Sequence, residues 1–242
     1  MMDSQSSATS LTAQQCLDDG KIHILLAASG SVATIKLPNI AEALCRHANV
    51  SVRIIITESA EHFLLGQSAE QPALDSLRQI AGVDGIYRNE DEWTTPWQRG
   101  NPILHIELRK WAHVLLVAPL SANIMAKMTM GMSDNLLLSV IRAWDTTGMV
   151  DGEFKPQKPR IFVAPAANTA MWRHPVTEKQ LKVLRDEWGW SKSNPEGWVT
   201  VLPPIEKALA CGDVGTGAMM DWQAIVNVVQ DHLGLPGPMA SS

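Results

Sequence analysis

Five short, almost uninterrupted apolar runs rich in β-branched residues constrain this chain more than any other feature. They are IHILLA (22–27), VSVRIII (50–56), HVLLVA (113–118), RIFVA (160–164) and WVTVL (198–202). Strands with one wet face alternate apolar and polar residues, whereas strands covered on both faces read as continuous runs. Helical spacing fills the intervals. Leu37, Ile40, Ala41 and Leu44 recur at i, i+3, i+4 and i+7, with Pro38 tolerated because it falls in the first turn. Leu137, Val140, Ile141 and Trp144 repeat that spacing. Thr177 and Gln180 form a capping-box pair ahead of Leu181, Leu184 and Trp188, and Gly189 is placed to end that helix. Asp221 is placed to cap a last helix carrying Ile225, Val228 and Val229 and stopping near Gly234. Strands alternating with helices predict one α/β domain, a parallel sheet with right-handed crossovers.

A chain of 242 residues is long enough to bury a substantial core. Residues 1–20 lack the basic and apolar regions of a signal peptide and are expected to form a disordered leader. The domain is expected over 21–235, with 236–242 as a flexible tail. No apolar run reaches the length of a membrane span, so no membrane partner is expected. The net charge of −5 argues against a nucleic-acid partner. Three cysteines, Cys16, Cys45 and Cys211, without CxxC spacing indicate neither a disulfide framework nor a metal site, and fit a cytoplasmic protein with reduced thiols. Nine tryptophans against one tyrosine place several indoles at interfaces or pocket rims, where the N–H finds a partner. Residues 66–101, around Trp93 and Trp97, and the polar stretch 146–159 read as surface insertions.

In an open parallel sheet, ligands bind beyond the carboxyl ends of the strands. After the first run come Gly30 and Ser31, leading into a helix whose free N–H groups suit a phosphate. The turn is not GxGxxG, which weakens a dinucleotide reading. After the second come Thr57 and Ser59, after the third Ser121 and Asn123, and after the fourth PAANTAMWRHP (165–175). Each alone reads equally as a helix cap. Their convergence at one end of a sheet points to a phosphate or cofactor pocket. His105, in NPILHIELRKWA, reads by itself as a structural or exposed histidine. Cys211 lies in the glycine-rich KALACGDVGTGAMMD, a mobile or tightly turned loop, and reads as a buried thiol or as a proton donor or nucleophile on a flap.

GSVA (30–33), PILHIELRKWA (102–112), APLSAN (118–123), DNLLLSVIRAWD (134–145), PAANTAMW (165–172) and LACGDVGTGAM (209–219) stand in an order that resembles the phosphopantothenoylcysteine decarboxylases of eukaryotic stand-alone type. These belong to the homo-oligomeric flavin-containing cysteine decarboxylases, and the similarity runs from about residue 21 to 233. It implies a single-domain Rossmann-like or flavodoxin-like fold, FMN as cofactor, and a homotrimer with active sites between subunits. It also implies decarboxylation of 4′-phospho-N-pantothenoylcysteine to 4′-phosphopantetheine in coenzyme A biosynthesis. The thiol is oxidised to a thioaldehyde, carbon dioxide leaves, and the enethiol is reduced again. The resemblance assigns FMN contacts to Gly30, Ser31, Val32, Thr57, Ser59, Phe63, Ser121, Ala122, Asn123 and Ala166. It assigns catalysis to His105 and Cys211, and substrate contacts to Asn168, Met171 and Lys110.

Three departures stand out. Ala167 occupies a position usually held by Met, Lys110 one commonly held by Arg, and AMMD replaces the frequent AMAE. Lysine keeps the charge for an anion but loses the bidentate fork. None removes an assigned catalytic residue, so an active enzyme is expected. Two rivals share the fold: a phosphatase-inhibitory regulatory subunit or mixed-trimer component, and a flavoenzyme of peptide cysteines or prenyl transfer. The short leader and absence of a long acidic tail argue against the phosphatase-inhibitory role. HIELRKWA and ACGDVGTGAM argue against the second.

Overall fold

Each of the five apolar runs is a strand, and all five lie in one parallel sheet. The computed structural model describes residues 12–16, 18–68, 70–94, 96–151, 157–208 and 214–236. In chain order the first half comprises β1 (Ile22–Ala28), α1 (Leu37–Leu44), β2 (Val50–Ile56), α2 (Glu58–Glu61), β3 (Leu65–Ser68), β4 (Gln71–Ala73), α3 (Leu74–Arg78) and β5 (Val83–Tyr87). Then follow α4 (Leu104–Trp111), β6 (Val114–Ser121), α5 (Ala122–Thr129), α6 (Leu136–Arg142), β7 (Arg160–Ala166), α7 (Thr169–Trp172) and α8 (Pro175–Lys182). The chain closes with β8 (Val199–Val201), β9 (Ile205–Ala208), β10 (Val214–Ala218) and α9 (Trp222–Leu233).

The sheet runs β5-β2-β1-β6-β7-β8. From β1 the chain builds outward through β2 to β5, then returns to the other side of β1 and builds through β6 to β8. The reversal point therefore lies between β1 and β6, where an α/β sheet opens its crevice. Register follows burial: Ile24 pairs with Val52 on one side and Val114 on the other. Alternate residues feed two cores. Ile24, Leu26, Ile54, Leu116 and Phe162 pack against α1 and α9, while Leu25, Ile55, Leu115, Val117 and Val163 pack against α4, α5, α6 and α8. This double burial is why the runs are continuous in apolar character. It also realises the predicted α/β fold, with helices on both faces.

Several expectations change. The stretch 66–101 is not merely an insertion, because it supplies β5, the edge strand of the main sheet, and the β3–β4 hairpin. VDGIY is short, half-buried and broken by Asp and Gly, so it lacks the apolar run of an interior strand. Thr177 caps nothing: α8 begins two residues earlier, at Pro175, with His174 as N-cap. Proline at the first helical position fixes that start, and the Thr177 hydroxyl donates to the Met171 carbonyl at 2.6 Å. Asp221 does cap α9, accepting from Gln223 N at 2.9 Å, and Gly234 ends it in the left-handed conformation. Within α9, Val226 rather than Val228 joins Ile225 and Val229 in the core. Part of the expected leader is also structured. Ala13–Cys16 forms a 3₁₀ turn, with Ala13 buried and its N–H donating to Glu107 Oε2 of α4 at 2.7 Å. The tryptophans divide, with Trp111 and Trp144 buried and Trp93 and Trp97 exposed.

The polar stretch after α6 is organised by one carboxylate. Asp145, 3% exposed, accepts from the backbone N–H groups of Thr147, Gly148, Val150 and Asp151 at 2.8–3.0 Å. Asp151 in turn pairs with Arg109 of α4. Burial pushes the Asp145 pKa up, but the hydrogen bonds outweigh it, that from Asp151 N foremost, and hold it at about 2. A carboxylate with a depressed folded pKa contributes stability above its ordinary pKa and loses it as pH falls through the folded value. Acidification from about pH 4 to pH 2 is therefore expected to remove about 2 kcal/mol from this group. Denaturant unfolding across that range should show a flatter profile for Asp145→Asn than for the wild type. Parallel profiles would contradict the assignment.

Candidate functional site

The carboxyl ends of β1 and β6 are joined by a buried hydroxyl. Ser29 Oγ donates to the Pro119 carbonyl at 2.9 Å and accepts from Ser121 N at 2.8 Å. Beyond this bridge each chain segment turns into a helix start. Ser31 caps a 3₁₀ turn over Val32–Lys36, accepting from Ala33 N at 3.4 Å. Ser121 caps α5, accepting from Ile124 N at 3.3 Å. Polar side chains cap these starts because the first N–H groups of a helix lack internal partners.

A cavity of about 590 Å³ opens between these turns. Gly30, Ser31 and Val32 line it from β1, Ser59 and Phe63 from β2, and Ser121, Ala122 and Asn123 from β6. Ala166, Asn168 and Met171 line it from β7. Thr57 stands behind this wall: it is buried, its hydroxyl donates to the Ala28 carbonyl at 3.4 Å, and it lies 3.3 Å from Ser59 Oγ. It acts on the cavity through Ser59. The lining also includes Ile35, Lys36, Ile205, Met219 and Trp222, which the sequence does not single out. Met219 and Trp222 belong to the last-helix entry, and only its cap was visible as a signal. A second cavity, about 450 Å³, lies beside Thr147, Lys158 and Glu196 and contains none of the predicted site residues.

The lining fits a flavin mononucleotide. Hydroxyls and helix-start N–H groups gather on one side, as a phosphate requires. Phe63, Met219 and Trp222 offer apolar and aromatic surface for a flat ring. Backbone approach is close: a Cβ added at Gly30 would lie 2.7 Å from Ser59 Cβ, so only glycine lets these two turns meet.

The PAANTAMW segment forms the opposite wall. Asn168 is the N-cap of α7, its Oδ1 accepting from Met171 N at 2.9 Å. The cap occupies the acceptor, so Asn168 offers the cavity its Nδ2 donors. Met171 is 48% exposed. Ala167, half-buried, donates its N–H to the Gly217 carbonyl at 2.9 Å. The glycine-rich segment from Val214 onward is therefore a strand, β10, paired with β9 rather than a free loop. A Cβ at Gly217 would meet the Ala167 carbonyl at 2.4 Å, so glycine is needed for this contact. Cys211 lies outside the described residues.

His105 and Lys110 do not line the cavity. Both sit on α4, and Lys110 Nζ is 3.9 Å from Glu107 Oε1. His105 Nδ1 is hydrogen-bonded to Glu92, whose carboxylate comes from the 3₁₀ turn Asn89–Trp93. Nothing in the local sequence singles Glu92 out from the acidic run NEDE. The residues the resemblance assigns thus fall in two places, a ligand cavity at the strand ends and a histidine–carboxylate pair on the α4 side.

This fold and cavity are those of a flavin-binding α/β protein. The Flavoprotein family profile matches residues 12–234, and the chain belongs to that family. It is 44% identical over 210 residues to a phosphopantothenoylcysteine decarboxylase of Arabidopsis thaliana, covering 87% of this chain and 84% of that protein. It is also 44% identical over 225 residues to a probable thymidylate synthase of Schizosaccharomyces pombe, covering 93% of this chain but only 31% of that longer protein. Among solved structures, a PPC decarboxylase mutant complexed with pantothenoylaminoethenethiol is 41% identical, with a TM-score of 0.70, over 88% of this chain and 99% of that one. The FMN binding protein AtHal3 is 42% identical, with a TM-score of 0.69, over 88% of this chain and 97% of that one.

Gly30→Ala tests the cavity directly. Ser59 Cβ is fixed to the backbone and cannot swing clear, so relief costs on the order of 1–3 kcal/mol. Flavin titration should show affinity for FMN weakened at least about tenfold. Unchanged affinity would place the flavin elsewhere.

Proposed function

We propose that this chain is an FMN-dependent phosphopantothenoylcysteine decarboxylase of coenzyme A biosynthesis, converting 4′-phospho-N-pantothenoylcysteine to 4′-phosphopantetheine. One observation carries the reading. The donor-rich turns of β1, β2 and β6 share a single cavity with Asn168 and Met171. The likeness to the Arabidopsis decarboxylase and to the pantothenoylaminoethenethiol complex supports it. FMN supplies the two-electron chemistry that makes the substrate thiol a thioaldehyde and later reduces the enethiol.

The protein's own residues do the remaining work. A carboxylate leaves only when its electrons have somewhere to go, and the thioaldehyde C=S provides that sink. Asn168 Nδ2 holds the substrate carboxylate by hydrogen bonds without adding a cation that would stabilise the ground state. Met171 covers the cavity mouth and excludes water. His105 takes the thiol proton, Lys110 attracts an anionic group of the substrate, and Cys211 returns a proton in the last step. His105 lies outside the cavity of its own chain, which supports a homotrimer in which a neighbouring copy brings it to the flavin. The functional domain spans 21–235, with the Ala13–Cys16 turn packed on its α4 helix. Its location is cytoplasmic, and no described helix is long and apolar enough to cross a membrane.

Purified protein is expected to hold FMN with a visible flavin spectrum and to release carbon dioxide from 4′-phospho-N-pantothenoylcysteine. Protein that binds no flavin, or binds it and releases no carbon dioxide, would overturn the reading. Asn168→Asp keeps the helix cap but replaces the donors with a like charge. Turnover should fall at least about 100-fold with flavin content unchanged. Near-normal turnover would remove Asn168 from the substrate site.

A further inference from the structure

We propose that Glu92 is the positioning residue for His105, fixing the imidazole proton on Nδ1 and leaving Nε2 as the base; this rests on the decarboxylase reading above. The Glu92 side chain is 3% exposed and that of His105 is 23% exposed. One carboxylate oxygen of Glu92, Oε1, meets His105 twice. It is hydrogen-bonded to Nδ1, and it accepts the His105 backbone N–H at 3.4 Å. An ionised carboxylate only accepts hydrogen bonds, so the ring proton sits on Nδ1 and the Nε2 lone pair is open. The substrate S–H bond then breaks as an Nε2–H bond forms, leaving a thiolate and an imidazolium. Glu92, buried against that ring, offsets the new positive charge.

The turn that carries Glu92 is held rigidly. Asp91 Oδ2 accepts from Arg88 N at 2.6 Å at its start, and Asn89 Oδ1 accepts from Leu136 N of α6 at 3.0 Å. Glu92 also has a structural role. Ile103, the N-cap of α4, has no side-chain acceptor, and Glu92 supplies one to the first turn of that helix. Stability measurements respond to both roles, whereas the histidine tautomer responds to one.

The test is ¹⁵N NMR of histidine-labelled, FMN-loaded protein, with His105 assigned by its loss in His105→Asn. The wild type should show His105 as the Nδ1–H tautomer. Glu92→Ala should move it to the Nε2–H form that free imidazole favours. That variant should lose about 100-fold in kcat, with KM within about twofold of wild type. Glu92→Gln keeps an acceptor at the same place, so it should retain the Nδ1–H tautomer and recover about tenfold of the lost kcat. A wild-type His105 in the Nε2–H form overturns the proposal without any variant. So does Glu92→Ala that keeps the Nδ1–H form, or that loses it with full kcat. Wild-type protein that releases no carbon dioxide sinks the decarboxylase reading instead, and the tautomer alone then decides the role of Glu92.

Discussion

The Ser29 hydroxyl is the interaction on which the site depends. It is fully buried between the carboxyl ends of β1 and β6, donating to Pro119 O and accepting from Ser121 N. A buried hydroxyl is stable only when its hydrogen bonds are made, and here both roles are used. The bridge sets the separation of the Gly30–Ser31 turn and the Ser121 cap. The gap between them, at the reversal point of strand order, is the cavity. Thr34 reinforces it by donating to the Ser29 carbonyl at 3.2 Å, and Thr57 ties β2 to the Ala28 carbonyl.

Function then follows from what each strand end delivers. The β1, β2 and β6 ends deliver small residues and donors, and the β7 end delivers Asn168 and Met171. The α4 helix delivers a histidine that does not line that cavity. Its carboxylate partner comes from the 3₁₀ turn just after β5, anchored to α6. The Asp145 loop reaches α4 through Asp151 and Arg109, so the helix bearing His105 is fixed near both ends. The residues that the proposed chemistry uses therefore lie on two surfaces of one chain, and the proposed homotrimer would reunite them.

The sequence made the sheet interior legible because double burial leaves a continuous apolar record at β1, β2, β6, β7 and β8. It made the cavity legible because small residues and hydroxyls recur after several buried strands at one end of the sheet, and nine of the ten assigned flavin contacts line it. Thr57, the tenth, is displaced by one layer. What stayed hidden lacked a periodic trace. The edge strand β5 is short and half-wet, the docking of β10 on the end of β7 is a long-range approach through Gly217 and Ala167, and Glu92 is one acid among several. Such pairings are decided by tertiary approach, which local pattern does not encode.

The central claim is that the cavity and the His105–Glu92 pair form one active site across two copies of the chain. Subunit mixing tests it most directly. His105→Asn and Asn168→Asp are each expected to be inactive alone, since one lacks the base and the other the substrate contact. Coexpressed in equal amounts, they should assemble with about a quarter of the sites intact and regain about a quarter of wild-type turnover, as random mixing in a closed symmetric oligomer requires. Mixed protein no more active than the separate variants would contradict a shared site.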